Sequence, residues 1–168
     1  MADEIWGTIH SELSDLPDAA ACTRVLLRLL AAACLGGILG YEREHRGKAA
    51  GLRTHMLVAL GSALYVLVPQ QAGASSSDIS RVVQGLVAGI CFLGAGSIVK
   101  GTQERGVHGL TTAAGLWLTA AIGMSAGMGR ELTAILSTAL AWVILSLLPA
   151  PHDPPKTKPR ESTSHHEP

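Results

Sequence analysis

The sequence predicts an all-α integral membrane protein: five transmembrane helices in a compact glycine-rich bundle, N-terminus outside and C-terminus in the cytoplasm. Three observations predict it. Five runs of roughly 17–20 residues are almost free of charge, and at 1.5 Å per residue each matches a hydrocarbon core about 30 Å thick. Basic residues concentrate in alternate connections, as the positive-inside rule requires. Small residues recur at four-residue steps inside the runs, the pattern that lets membrane helices approach closely. The mean hydropathy of +0.32 is modest because two polar tails dilute the runs. A soluble helical bundle would need a polar face on every helix, and four of the five runs have none.

Residues 1–23 carry Asp3, Glu4, Glu12, Asp15 and Asp18 and no Lys or Arg, the opposite of the basic start of a cleavable signal peptide. Ile5, Trp6, Ile9, Leu13 and Leu16 recur at helical spacing, which predicts a short amphipathic helix on the outer membrane face, with a frayed tail as the alternative. The spans follow: Arg24–Gly40, with Arg24 and Arg28 snorkelling at its outer end; Thr54–Pro69; Val82–Val99, with Gln84 near its outer end; Gly109–Met128; and Leu132–Leu148. The short turn Gly127–Glu131 forces the last two into an antiparallel hairpin. Residues 149–168, rich in Pro, Lys, Ser, Thr and His, predict a disordered cytoplasmic tail. Cys22, Cys34 and Cys91 are odd in number, and the latter two lie in apolar runs. They are expected to be buried small hydrophobes and not a disulfide framework or zinc site.

The orientation rests on charge. Arg43, Arg46, Lys48 and Arg53 follow span 1; Lys100 and Arg105 follow span 3; Lys156, Lys158 and Arg160 lie in the tail. The opposite side has Arg81 and Arg130, or three with Arg24, against these nine. A four-span arrangement with the last run lying flat is the alternative.

Gly36 and Gly40, Gly85 and Gly89, and Gly123 and Gly127 form small-xxx-small pairs, and Gly115 extends the last row. Their repetition predicts close helix packing or a homodimer within the lipid bilayer. A displacement of 58 residues also aligns Leu35-Gly36 with Leu93-Gly94, and Gly51-Leu52-x-Thr54 with Gly109-Leu110-x-Thr112. The two charged loops are therefore expected to end in equivalent helix starts within a parallel repeat.

In the first loop Glu42–Arg46 and Glu44–Lys48 are i,i+4 pairs with the acid first, the favourable order. One reading is that span 1 continues a turn into water, Gly47 ends it and the charges are solvated. The other is a docking face for a protein or for anionic headgroups. Arg53 and Thr54, with Thr111 and Thr112 in the matching place, stand at helix starts where anions are favoured, and could hold Glu42, Glu44, Glu104 or a phosphate. No Asp, Glu, Lys or His lies near the middle of a span, where ion-coupled carriers place one. No carboxylate cluster suits magnesium, and no phosphate loop, Ser/His/Asp set or HExxH motif is present. No catalysis, cofactor, metal site or nucleic-acid partner is expected.

Three blocks resemble the MgtC/SapB family of bacterial inner-membrane proteins. They are Gly40-Tyr41-Glu42-Arg43-Glu44 continuing at Ala50-Gly51-Leu52-Arg53-Thr54-His55; Phe92-Leu93-Gly94-Ala95-Gly96-Ser97-Ile98; and Gly109-Leu110-Thr111-Thr112-Ala113-Ala114-Gly115-Leu116-Trp117. The resemblance covers roughly residues 26–129. It implies a membrane regulator linked to magnesium limitation, acid stress and virulence, acting through other membrane proteins, the F-type ATP synthase among them. A small magnesium transporter or transport accessory subunit is the alternative. On this resemblance the motif residues Glu42, Arg43, Glu44, Arg53, Thr54, Gly94, Gly96, Gly109, Thr111 and Thr112 are the candidate functional positions. Many members add a soluble domain after the last span, where this sequence has its proline-rich tail. Cys91 and Ala49 stand where the family pattern has Gly and Pro.

A reporter fused after Pro149 is expected to read out in the cytoplasm. A periplasmic signal would leave four spans and overturn the five-span topology.

Overall fold

Asp18 opens the first long helix by accepting a hydrogen bond from Ala21 N at 2.6 Å, so that helix begins well before the apolar run. The computed structural model describes residues 1–12, 18–100 and 107–148. Its elements are α1 (Ala2–Glu12), α2 (Ala19–His45), α3 (Leu52–Gln71), α4 (Ser76–Ser97), a two-residue antiparallel pair β1 (Val99–Lys100) and β2 (Val107–His108), α5 (Leu110–Gly127) and α6 (Glu131–Leu147). Helices α2 to α5 are long and apolar enough to cross a membrane; α6, at 17 residues, is apolar and shorter. The chain is a multi-pass helical membrane protein.

Helices α2 and α4 begin ahead of their apolar runs because polar caps extend them. Ser75 and Asp78 form a capping box that starts α4 at Ser76, six residues before Val82. Pro69 lies inside α3 and does not end it, since it removes a single backbone donor close to a terminus. Val99 leaves the helix, contrary to the apolarity-based boundary, and pairs with His108 while Lys100 pairs with Val107. In α1, Ile5, Trp6 and Ile9 are exposed, as an apolar face turned toward lipid would be; Leu13, Leu16 and the tail lie outside the described residues. The three cysteines are exposed, which corrects the expectation of burial: an apolar run facing lipid needs no protein cover.

Helix α5 occupies the centre, packed against α2, α3, α4 and α6; α3 lies between α2 and α5, with α4 also against it, while α6 closes against α2 and α5. Ala59 and Ala63 on α3 are fully buried. A Cβ on Gly36 would lie 2.7 Å from the Ala59 Cβ, and one on Gly40 2.7 Å from the Leu52 Cα. From the opposite side, a Cβ on Gly123 would lie 2.7 Å from the Ala59 Cα and one on Gly127 2.7 Å from the Ala63 Cα. Two rows of glycine thus clamp α3 from opposite sides and meet at Ala59. The third pair behaves otherwise: Gly85 and Gly89 have no neighbour within 4 Å, and α4 buries only Ile90 and Gly94. Small-xxx-small spacing permits close approach without supplying the partner.

The two Gly-Leu-x-Thr segments do start α3 and α5, with Gly51 and Gly109 as N-caps. Their backbones differ: Gly51 is extended, whereas Gly109 is left-handed with φ +91, where a side chain would also run into the Ser97 carbonyl. Gly36 faces His55 and Gly94 faces Ala113, and each member of the second pair lies 58 residues after its counterpart.

Gly123→Ala is expected to lower stability by about 1–3 kcal/mol through overpacking against α3. Gly89→Ala should stay within roughly 0.5 kcal/mol or gain slightly from helix propensity. Thermal unfolding in detergent micelles compares them, and equal shifts would refute the clamp.

Candidate functional site

The last turn of α2 carries Glu42, Arg43, Glu44 and His45; Gly47 then takes φ +63, and the chain returns within a few residues to start α3. Hydrogen bonds from Gly47 N to Glu44 O and from Lys48 N to Arg43 O, 2.9 and 3.0 Å, close the helix end. Span 1 does continue past the apolar run, as expected. Its charges, however, do not all face water. Glu42 is 8% exposed and Arg43 only 3%.

These two side chains form a two-point ion pair: Arg43 Nε donates to Glu42 Oε2 at 2.6 Å and Arg43 Nη2 to Oε1 at 3.2 Å. Arg46 Nε joins from the next turn at 2.9 Å, confirming the expected i,i+4 pair. Arg46 Nη2 also donates to the Ser146 carbonyl at 2.8 Å, one of the acceptors left free at the C-terminus of α6. One carboxylate is therefore shared by two guanidinium groups, and the second of these ties α2 to α6. Buried charges persist when paired in this way, because the attraction offsets their desolvation. Arg43 Nη1 nevertheless has no hydrogen-bond partner.

Glu44 has a different task. Its Oε2 accepts from Leu52 N at 2.8 Å, supplying the cap that Gly51 has no side chain to provide. A helix start thus holds a carboxylate, as its positive dipole end favours.

Of the buried polar residues on the neighbouring helices, His55, Thr112 and Thr119 stand around Gly115. His55, 0% exposed, places Nδ1 2.9 Å from the Gly51 carbonyl, which makes Nδ1 the donor and leaves Nε2 as an acceptor. That Nε2 has no partner and lies 3.6 Å from where a Gly115 Cβ would be. Thr112 and Thr119, three residues before and four after Gly115, share its helix face and are buried. The Thr119 hydroxyl also lacks a partner outside its own group. A donor on Arg43, an acceptor on His55 and a hydroxyl on Thr119 are therefore available to hydrogen-bond water inside the bundle. The site is a polar seam rather than a chelate. Among the described residues no group of three or more His, Cys, Asp or Glu is placed to hold a metal ion.

The remaining sequence candidates divide. Gly94 is buried against Ala113, Gly109 supplies the left-handed helix start, and Thr112 joins the seam. Arg53, Thr54 and Thr111 are exposed and stand outside it, because Glu42 and Glu44 are held by Arg43, Arg46 and Leu52 N. Gly96 is exposed with nothing within 4 Å. Glu104 lies outside the described residues. His55 was not singled out from the sequence. Its signal was there in the four-residue step His55, Ala59, Ala63, which puts it on the clamped face of α3.

A glycine-clamped helical membrane protein with an acid–arginine network at the end of its first long helix is the class this geometry defines. The chain belongs to the MgtC family, which matches residues 29–153. It is 45% identical over 130 residues to the protein SrpB of Synechococcus elongatus, covering 71% of each chain. It is 40% identical over 129 residues to YhiD of Escherichia coli K12, named as a candidate magnesium transporter, covering 73% of this chain and 59% of that one. Against the protein MgtC of Brucella abortus it is 41% identical over 133 residues, covering 79% of this chain and 52% of the relative. The chain thus spans between half and three quarters of the length of these relatives. No solved structure matches it.

Glu42→Gln is expected to cost about 3–5 kcal/mol, since it leaves Arg43 buried without its counter-charge. Arg53→Gln should change stability by no more than roughly 0.5 kcal/mol. Denaturation in detergent reads both, and a Glu42 variant as stable as the parent would remove the ion pair from the structural core.

Proposed function

We propose that this protein is a non-enzymatic regulator of the bacterial inner membrane, linked to magnesium limitation, acid stress or virulence, which acts through contacts with other membrane proteins. The packing around Ala59 carries the reading. Gly36 from α2 and Gly123 from α5 close on it from both sides, so at this level the three helices meet through backbone and methyl groups. Magnesium demands near-octahedral oxygen ligands and sheds water reluctantly, and such a passage offers it neither space nor ligands. The buried ionisable groups Glu42, Arg43 and His55 lie instead toward the end that carries the charged loop, where Glu42 is already neutralised by two arginines.

The outer surface of α4 supports contact with another membrane protein. Phe92 is 82% exposed, and Gly85, Gly89 and Gly96 are open on the same helix. Small residues beside an exposed aromatic suit close approach by a second helix. By family resemblance the F-type ATP synthase is one such partner.

Five spans with the N-terminus outside fit this reading. The Arg46 bond to Ser146 puts the end of α6 beside the basic loop, as an odd number of crossings requires. The name of the Escherichia coli relative favours the second reading, a magnesium transporter or an accessory to one.

Purified protein in liposomes loaded with a magnesium indicator separates the two. Influx equal to that of empty vesicles is expected, and magnesium flux above that background would overturn the regulator reading in favour of transport.

A further inference from the structure

The end of the bundle opposite the Glu42 network holds a cleft of about 290 Å3 between α2 and α3. Its polar lining is Arg24, Arg28, Gln70 and Gln71, and its apolar wall includes Val25 and Leu67. The clamp explains why it exists: Gly36 and Gly40 draw α2 onto the first half of α3, whereas long side chains hold the two apart at this end. The cleft has the volume of about ten waters at roughly 30 Å3 each, enough for a phosphate-bearing headgroup and small for a drug-sized ligand.

The charge balance within it is one-sided. Arg28 Nη1 donates to Gln70 Oε1 at 3.1 Å and to the Gly127 carbonyl at 3.2 Å. Its Nε is buried without a hydrogen bond, and the nearest carboxylate oxygen, on Glu131, is 3.9 Å away. Arg24, one turn earlier and exposed, pairs with no acid among the described residues; the nearby Asp18 carboxylate is engaged at Ala21 N. Gln70 accepts through its oxygen, so its amide nitrogen remains free to donate. The cleft therefore presents donors and positive charge, and a complementary ligand is an anion that only accepts. Phosphate meets that description and matches the planar fork of arginine.

Depth selects the source. Arg24 lies five residues from the start of α2, about 7.5 Å along its axis, and Gln70 and Gln71 are the last residues of α3. Cleft and helix ends thus share the level of the lipid headgroups, with Leu26, Leu27 and Leu30 exposed toward the acyl chains below. We propose that the Arg24–Arg28–Gln70 cleft is a binding site for the phosphate of an anionic phospholipid, the apolar wall of Val25 and Leu67 receiving the glycerol and first methylenes. The site stands independently of the regulator reading.

Native mass spectrometry of the whole protein, released from mixed micelles containing equal phosphatidylglycerol and phosphatidylcholine, tests the assignment. A single retained phosphatidylglycerol is expected, preferred several-fold over phosphatidylcholine. Arg24→Gln should lower its occupancy by about fivefold, the effect of one arginine at an anionic lipid surface. Because Arg24 makes no contact that holds the bundle together, this variant should melt with the parent; Arg81→Gln, an exposed arginine on α4, should retain lipid as the parent does. Equal retention of the two lipids, or an Arg24 variant that keeps its lipid, would overturn the proposal. So would millimolar inorganic phosphate emptying the site of lipid while itself binding in an Arg24-dependent way, which would assign the cleft to a dissolved anion.

Discussion

Ala59 is where the architecture meets. Its methyl group touches α2 at Gly36 while its backbone touches α5 at Gly123, so α3 is held on two sides without an intervening side chain. In lipid no hydrophobic effect drives helices together, and what remains is dispersion between surfaces that can come close. The clamp supplies such surfaces along most of α3, through Gly40 and Leu52 at one end and Gly127 and Ala63 at the other. The charged side chains of the long helices lie toward the ends of the bundle, where headgroups or counter-charges can satisfy them, while the small hydroxyls of Ser62, Thr119 and Thr138 stay buried along its length.

Arg28 in α2 and Arg46 at its C-cap organise the two ends by a shared device. Arg46 donates to the Ser146 carbonyl at the C-terminus of α6, and Arg28 donates to the Gly127 carbonyl at the C-terminus of α5. Terminal carbonyls lack partners within their own helix and carry the negative end of its dipole, so a guanidinium satisfies both needs. Each arginine has an acid nearby, Glu42 at 2.9 Å and Glu131 at 3.9 Å. The tighter pair sits at the buried seam and the looser one beside an open cleft. That difference in neutralisation makes one end a structural lock and leaves the other able to take an anion.

Much of the plan was legible in the sequence. Apolar runs located every long helix, because bilayer thickness sets their length. The Gly-Leu-x-Thr echo located the starts of α3 and α5, and the i,i+4 spacing of Glu42 and Arg46 anticipated an observed ion pair. Burial was less legible. Glu42 and Arg43 look like a solvated loop, and only their position between packed helices reveals a pair shut away from water. Arg53 and Thr54 carry the same motif and remain outside, since one residue along a helix turns a side chain by about 100°.

Sequence alone determined the class of protein, the approximate extent of its helices and its family, because these depend on local chemistry: hydropathy, caps and motif residues. The tertiary structure decided which glycines are contacts. Gly36, Gly40, Gly123 and Gly127 meet α3 or the turn leading into it, whereas Gly85 and Gly89, with identical spacing, meet nothing. It decided too that His55 and Thr119 are interior, and that Arg28 turns inward to bind a helix end while Arg24 stays free. A four-residue step states only that side chains share a face. Which helix arrives at that face is set by the packing of the whole chain.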